Sequence, residues 1–165
     1  MQGVDRQLAV LFVCLGNICR SPMAEGAFRK EAQEAGLDCT VASAGTAGYH
    51  IGEPPDPRAI ATAAAHGVDI APFIGRQLQP GDYEEFTHIF ALDTANLAGI
   101  TSRAPRTASA RISLLMDAVP GRKGEAVADP YYGDERDFAK TWDDVAQAAR
   151  ILVERFKAES VKARF

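Results

Sequence analysis

Positive charge is in short supply: 18 lysines and arginines face 22 aspartates and glutamates, for a net charge of −4. No basic stripe or aromatic-basic platform runs along the 165 residues, which argues against a nucleic-acid binder. Long apolar runs are missing too. The stretch Leu8 to Leu15 is too short to cross a bilayer, and no basic segment precedes it to make a signal peptide. The expectation is a cytoplasmic protein without membrane attachment. Cysteine is scarce, and Cys14, Cys19 and Cys39 do not form a secreted disulfide framework. Neither they nor the scattered His50, His66 and His88 show metal-ligand spacing, so no metal or other cofactor is expected. Internal repeats, low-complexity tracts and linkers are absent. A hydrophobic fraction of 47% over this length suits one domain, residues 1–165, with a single sizeable core.

What is present is an alternation of short apolar runs with helical patterns, the mark of an α/β fold with a parallel sheet between helices. Strands are expected at Leu8 to Val13, Cys39 to Ser43, Thr87 to Leu92 and Arg111 to Leu115. A first helix should run from about Ser21 to Ala35 and stop at Gly36. A second should start with Asp56 as cap and Pro57 in its first turn, and end before Gly67. Shorter helical pieces are expected after Pro80 and Thr94. Phe138, Trp142, Val145, Ala149, Leu152 and Phe156 recur every three or four residues, one stripe of a core-facing helix.

Directly after the first strand comes Cys14-Leu15-Gly16-Asn17-Ile18-Cys19-Arg20-Ser21. A cysteine at a strand end, six residues before an arginine, has the layout of a phosphate trap. Backbone N–H groups wrap an oxyanion, and the following helix adds its positive end. Arg20 can grip two phosphate oxygens through a planar fork that lysine cannot copy. In that field the Cys14 thiol is expected to lose its proton readily and act as a nucleophile. Spacing alone is weak evidence, since three cysteines and 13 arginines supply roughly 0.24 such pairs by chance. Context adds weight. Gly16 permits close backbone approach, Asn17 tolerates left-handed conformations, and Ser21-Pro22 reads as a helix start with Ser21 as cap.

The run Val13 to Glu25, with Ser43-Ala44-Gly45-Thr46, Gly52-Glu53-Pro54-Pro55-Asp56-Pro57-Arg58, Ala91 to Leu97 and Asp129-Pro130-Tyr131-Tyr132-Gly133, resembles the low-molecular-weight protein tyrosine phosphatases nearly end to end. The resemblance implies a flavodoxin-like three-layer sandwich on a four-stranded parallel sheet. It implies hydrolysis of aryl phosphate monoesters on phosphotyrosine proteins through a phosphocysteine, without metal. Sequence order does not reveal which acid protonates the leaving phenol. Asp129 is the best candidate because Pro130 stiffens its loop, and the resemblance assigns it as general acid and base. Asn17 and Ser21 would shape the loop, with the Ser21 hydroxyl easing departure of sulfur from phosphorus. Leu15, Tyr49, Tyr131 and Tyr132 match positions flanking the family's mouth, while Gly16, Ile18 and Cys19 complete the loop around the phosphate. Ser43 and Asp93 match bracing positions. Cys19 matches a cysteine that pairs with the oxidised nucleophile; Cys39 reads as core.

One departure stands out. Many relatives carry a histidine that bonds the loop asparagine, and Pro72-Phe73-Ile74-Gly75 occupies that region here, which puts this brace for Asn17 in doubt. Three other functions compete. A protein arginine phosphatase on the same scaffold prefers a small hydroxyl residue where Ile18 stands. An arsenate reductase needs downstream cysteines, and none follows Cys39. A silent phosphate-binding module would have no use for nucleophile, arginine and acid together.

Overall fold

The computed structural model describes residues 7–164; the first six residues and the last of the expected domain lie outside them. The elements run β1 (Ala9–Cys14), α1 (Arg20–Ala35), β2 (Thr40–Gly45), α2 (Pro57–Ala65), α3 (Asp82–Glu85), β3 (His88–Ala91), α4 (Thr94–Arg103), β4 (Arg111–Leu114) and α5 (Glu135–Arg164). A 3₁₀ turn, Leu115–Ala118, follows β4. The four strands are all parallel, in the order β2-β1-β3-β4. This is the expected α/β sheet. Among the described residues no helix is long and apolar enough to cross a membrane.

Strand β1 is apolar throughout and buried along its whole length, as a central parallel strand covered on both faces must be. Its alternate side chains feed two cores. Val10, Phe12 and Cys14 face α1, α2 and α5, whereas Leu11 and Val13 face α3 and α4. Phe12 lies between Phe28 and Phe90, with ring centroids 5.6 and 5.8 Å away. Burying each such ring contributes about 1.5–3 kcal/mol. The α5 stripe is buried as expected.

This topology decides where a ligand can sit. After β1 the chain turns to one side to make β2, then crosses to the other to make β3. The crevice where strand order diverges therefore opens at the carboxyl ends of β1 and β3. Cys14 ends β1, and Asp93 immediately follows the strand β3 and Leu92.

The strands lie within a residue or two of their expected bounds, and Cys14 is the last residue of β1 rather than the first of the loop. Asp56 caps α2 through the Arg58 N–H, with Pro57 as first helical residue. Gly36 ends α1 in the left-handed conformation, φ 68°. Ser21 is not the cap of α1. Cys19 holds that position without a side-chain bond, and Ser21 sits inside the first turn because its hydroxyl is engaged elsewhere. Pro22 still falls in that turn, where its missing N–H has no intrahelical partner to lose. Cys39 is half-buried and packs against the core.

Candidate active site

The loop between β1 and α1 is drawn into shape from outside. Thr46 N–H donates to the Cys14 carbonyl (2.9 Å), Ala47 N–H to that of Leu15 (3.0 Å) and Asp56 N–H to that of Ile18 (2.9 Å). A planar trans peptide sets its C=O and N–H on opposite sides. Tying these carbonyls outward therefore turns the N–H groups of Leu15, Gly16 and Cys19 the other way. Gly45 allows the close approach, since a Cβ there would lie 2.7 Å from the Leu15 carbonyl oxygen. Asn17, with φ 59°, is the one non-glycine residue at positive φ among those described, and its N–H donates to Cys14 Sγ at 3.3 Å. Helix α1 starts without a side-chain cap, Pro22 has no N–H and the Met23 N–H donates to the Cys19 carbonyl, so the Arg20 and Ser21 N–H groups are the ones left for an anion.

Arg20 enters from the start of α1 and is buried. Its Nη1 donates to Asp93 Oδ2 (2.6 Å) and to the Val127 carbonyl (3.1 Å), while Nη2 lies 3.6 Å from Asp129 Oδ2. Asp93 does double work: its other oxygen caps α4 through the Asn96 N–H at 2.7 Å. Burial opposes the Arg20 cation, but the negative charge of Cys14 and the Asp93 and Asp129 carboxylates outweighs it and raises the pKa. Burial pushes the Cys19 thiol strongly up as well, aided by Asp56, Cys14 and Asp129, with Arg58 offsetting only part. Cys19 therefore stays a thiol at neutral pH.

Beneath the loop runs a buried polar network. Asn17 Nδ2 donates to Ser21 Oγ (2.8 Å) and to Ser43 Oγ (3.0 Å), and Asn17 Oδ1 accepts from the Arg76 N–H (3.0 Å). Ser21 Oγ stands 3.1 Å from Cys14 Sγ. Asn17 is thus braced without the family's histidine, because the backbone of Arg76 reaches it. Backbone bonds leave no signature in a residue pattern, which is why the sequence alone points to a missing brace.

The mouth is a pocket of about 250 Å³ lined by Cys14, Leu15, Gly16, Ile18, Cys19, Arg20, Tyr49, His50, Asp129, Tyr131 and Tyr132. Residues far apart in the chain, including the expected nucleophile, clamp and acid, meet there. Asn17 and Ser21 do not line it; they lie under the loop and act on its shape and on the sulfur. Asp129 is half-exposed and accepts the Tyr131 N–H at 3.1 Å. Tyr131 and Tyr132 stand edge to face at 4.9 Å, and the Arg58 guanidinium lies 5.5 Å from the Tyr131 ring.

The model of the low molecular weight phosphotyrosine protein phosphatases matches residues 9–162. The chain belongs to this family. The low molecular weight phosphotyrosine protein phosphatase of Schizosaccharomyces pombe is 40% identical over 138 residues, covering 82% of this chain and 88% of that protein. A crystal structure of a protein tyrosine phosphatase from Entamoeba histolytica, with Hepes in its active site, superposes with a TM-score of 0.87 at 33% identity. That match covers 93% of this chain and 99% of the other. The Bacillus subtilis arginine phosphatase YwlE is also similar, with a TM-score of 0.83 at 27% identity over 91% of this chain and 96% of its own. Within this phosphatase frame the sequence reading passed over three parts of the site. His50 lines the mouth and pairs with Glu53 at 3.1 Å. Glu25 accepts from Ser43 at 2.7 Å. Asp56, visible only as a helix cap, also anchors the loop through Ile18. Only Glu25 left a trace, a carboxylate set among apolar residues on α1.

Proposed function

We propose that this one-domain protein is a phosphotyrosine protein phosphatase acting through a phosphocysteine. The observation that carries the reading is the meeting of Cys14, Arg20 and Asp129 in one pocket at the ends of β1 and β3. Cys14 sulfur attacks phosphorus in line, and the bond from phosphorus to the phenolic oxygen breaks. Asp129 gives that oxygen its proton, since a phenolate with a conjugate acid near pKa ~10 leaves poorly alone. Arg20 and the loop N–H groups hold the equatorial oxygens as charge spreads over them. Water then attacks phosphorus with Asp129 taking its proton, and sulfur leaves with the bonding pair. Side chains and loop N–H groups of this chain, with one water, account for every step, so the scheme calls for no metal.

Leu15, Ile18, Tyr49 and Tyr131 wall the mouth with apolar surface, which suits a flat phenyl ring. A phosphoarginine substrate would set a polar guanidinium against Ile18. The substrates we propose are therefore phosphotyrosine proteins in the cytoplasm, where the free thiols Cys14, Cys19 and Cys39 stay reduced. Cys19, lining the same pocket, supports a protective disulfide with oxidised Cys14. Assays on matched phosphotyrosine, phosphoarginine and phosphoserine peptides, with acid-quench trapping of the intermediate, test the reading. Phosphotyrosine should be hydrolysed fastest, chelators should leave the rate unchanged, and the trapped phosphate should map to Cys14. Faster release from phosphoarginine, or no trapped adduct, would overturn it.

A further inference from the structure

The polar network under the loop has a direction, and its source lies outside the pocket. The Glu25 carboxylate is buried and can only accept. Ser43 must therefore turn its single hydrogen to Glu25 Oε1, at 2.7 Å. Its oxygen then meets Asn17 only as an acceptor, which sets the Asn17 NH₂ toward Ser43 (3.0 Å) and Ser21 (2.8 Å). The Arg76 N–H on Asn17 Oδ1 fixes the same orientation from the other end. Ser21, having accepted from Asn17, has its own hydrogen left for Cys14 Sγ at 3.1 Å or the Ala44 carbonyl at 3.5 Å. A thiolate at Cys14, which has no proton to give, makes the sulfur the nearer and charged acceptor.

What holds Glu25 is Arg29, one turn along α1. Its Nε donates to Glu25 Oε2 at 2.8 Å and its Nη2 to the Val41 carbonyl of β2 at 2.5 Å. The guanidinium carbon lies 5.7 Å from the centre of the Phe73 ring, the residue in the segment where relatives carry a histidine. Close packing keeps that segment in place, because a Cβ at Gly26 would come within 2.6 Å of the Ile70 side chain.

We propose that Arg29, seated over Phe73, is a positioning residue for the second half of the reaction. Through Glu25, Ser43 and Asn17 it reserves the Ser21 hydrogen for the sulfur. When water attacks the phosphocysteine, the S–P bond breaks and sulfur departs with its electron pair. The Ser21 O–H donates to that developing thiolate while Asp129 takes the water proton and inorganic phosphate is released. Removing the guanidinium would leave a buried carboxylate without its counter-ion and the relay without a fixed end. The inference rests on the phosphocysteine reading above.

Stopped-flow assays with p-nitrophenyl phosphate separate the two halves. The burst of nitrophenol reports phosphorylation of Cys14, and the steady phase reports breakdown. Arg29→Met should slow breakdown on the order of tenfold, the scale of one charge-assisted hydrogen bond, with the burst rate within about twofold of wild type. Arg29→Lys, which keeps the charge but not the fork, should fall between the two. Burst amplitude counts competent molecules, so partial misfolding cannot imitate a slow second step. Equal losses in both phases, or none in either, would overturn the role of Arg29. A wild-type burst beside unchanged variants removes that role alone, whereas a wild type without burst or turnover removes the phosphatase reading with it.

Discussion

The floor and the rim of the pocket are built in opposite ways. Below, Asn17, Arg20 and Ser21 are buried and tied to partners on β1, β2 and the residues after β3. Above, Leu15 and Tyr49 are exposed, and Tyr132 reaches 97% exposure. Each floor contact is shared: Asp93 holds Arg20 and caps a helix, and Asn17 supports two serines. Rim side chains share few contacts, so they can vary without disturbing the fold. On the proposed mechanism, reaction chemistry rests on interlocked groups and substrate choice on replaceable ones.

The largest expected break on the floor side is Cys14→Ser. Turnover of p-nitrophenyl phosphate should fall by at least about 10⁴-fold while binding of an oxyanion such as vanadate persists. Retained turnover would mean the sulfur is not the nucleophile. Next comes Asp129→Asn, at the junction of floor and rim. It should cost roughly 10²–10⁴-fold on phenyl phosphate and much less as the leaving group becomes more acidic. A loss that stays level across a leaving-group series would remove its role as acid.

Cys19 sharpens the contrast through pH. Burial raises its folded pKa, so the folded state holds the thiol proton more tightly than the unfolded chain. Its contribution is complete below the unfolded thiol's pKa and declines as pH rises above it. The loss should be about 1.4 kcal/mol per pH unit in that window. Denaturant titrations of wild type and Cys19→Ala should show a flatter alkaline limb in the variant; identical slopes would contradict this. The smallest effect belongs to the rim. Tyr131→Ala should raise KM severalfold for aryl phosphates, on the scale of about 0.5–1.5 kcal/mol for a lost ring contact. An equal shift for a small alkyl phosphate would show that the ring does not read the phenyl group.

The interlocked floor was the harder half to foresee. The apolar run of β1, the stripe on α5 and the Asp56-Pro57 helix start are local patterns, and they appear where periodicity places them. The loop was legible for the same reason, since Cys14, Asn17 and Arg20 are close in sequence. Asp129 reached the pocket only through the resemblance, because its approach to Arg20 depends on how β3, β4 and the following turns pack. Glu25 stands out in the sequence only as a carboxylate among apolar residues, and its partner Arg29, four residues on, carries no signal of its own. Nothing local says that the two meet Ser43 and the Val41 carbonyl on β2. Ser21 misled for a related reason, since a serine before proline suits a cap until a nearby sulfur claims its hydroxyl.

Helices α2 and α4 begin on aspartates, whereas α1 begins on Cys19 with nothing of its own to close it. On the proposed mechanism a tetrahedral oxyanion held by the loop would supply acceptors for that first turn. Melting temperature should therefore report occupancy, with a gain of about 2.7 kcal/mol once the anion stands a hundredfold above its Kd. By the proposed phosphocysteine route inorganic phosphate is the last product to leave, and it is such an anion. Each turn of that proposed cycle would then end by undoing a small part of the folded state, so slow phosphate release is the expected companion of a well-made cradle.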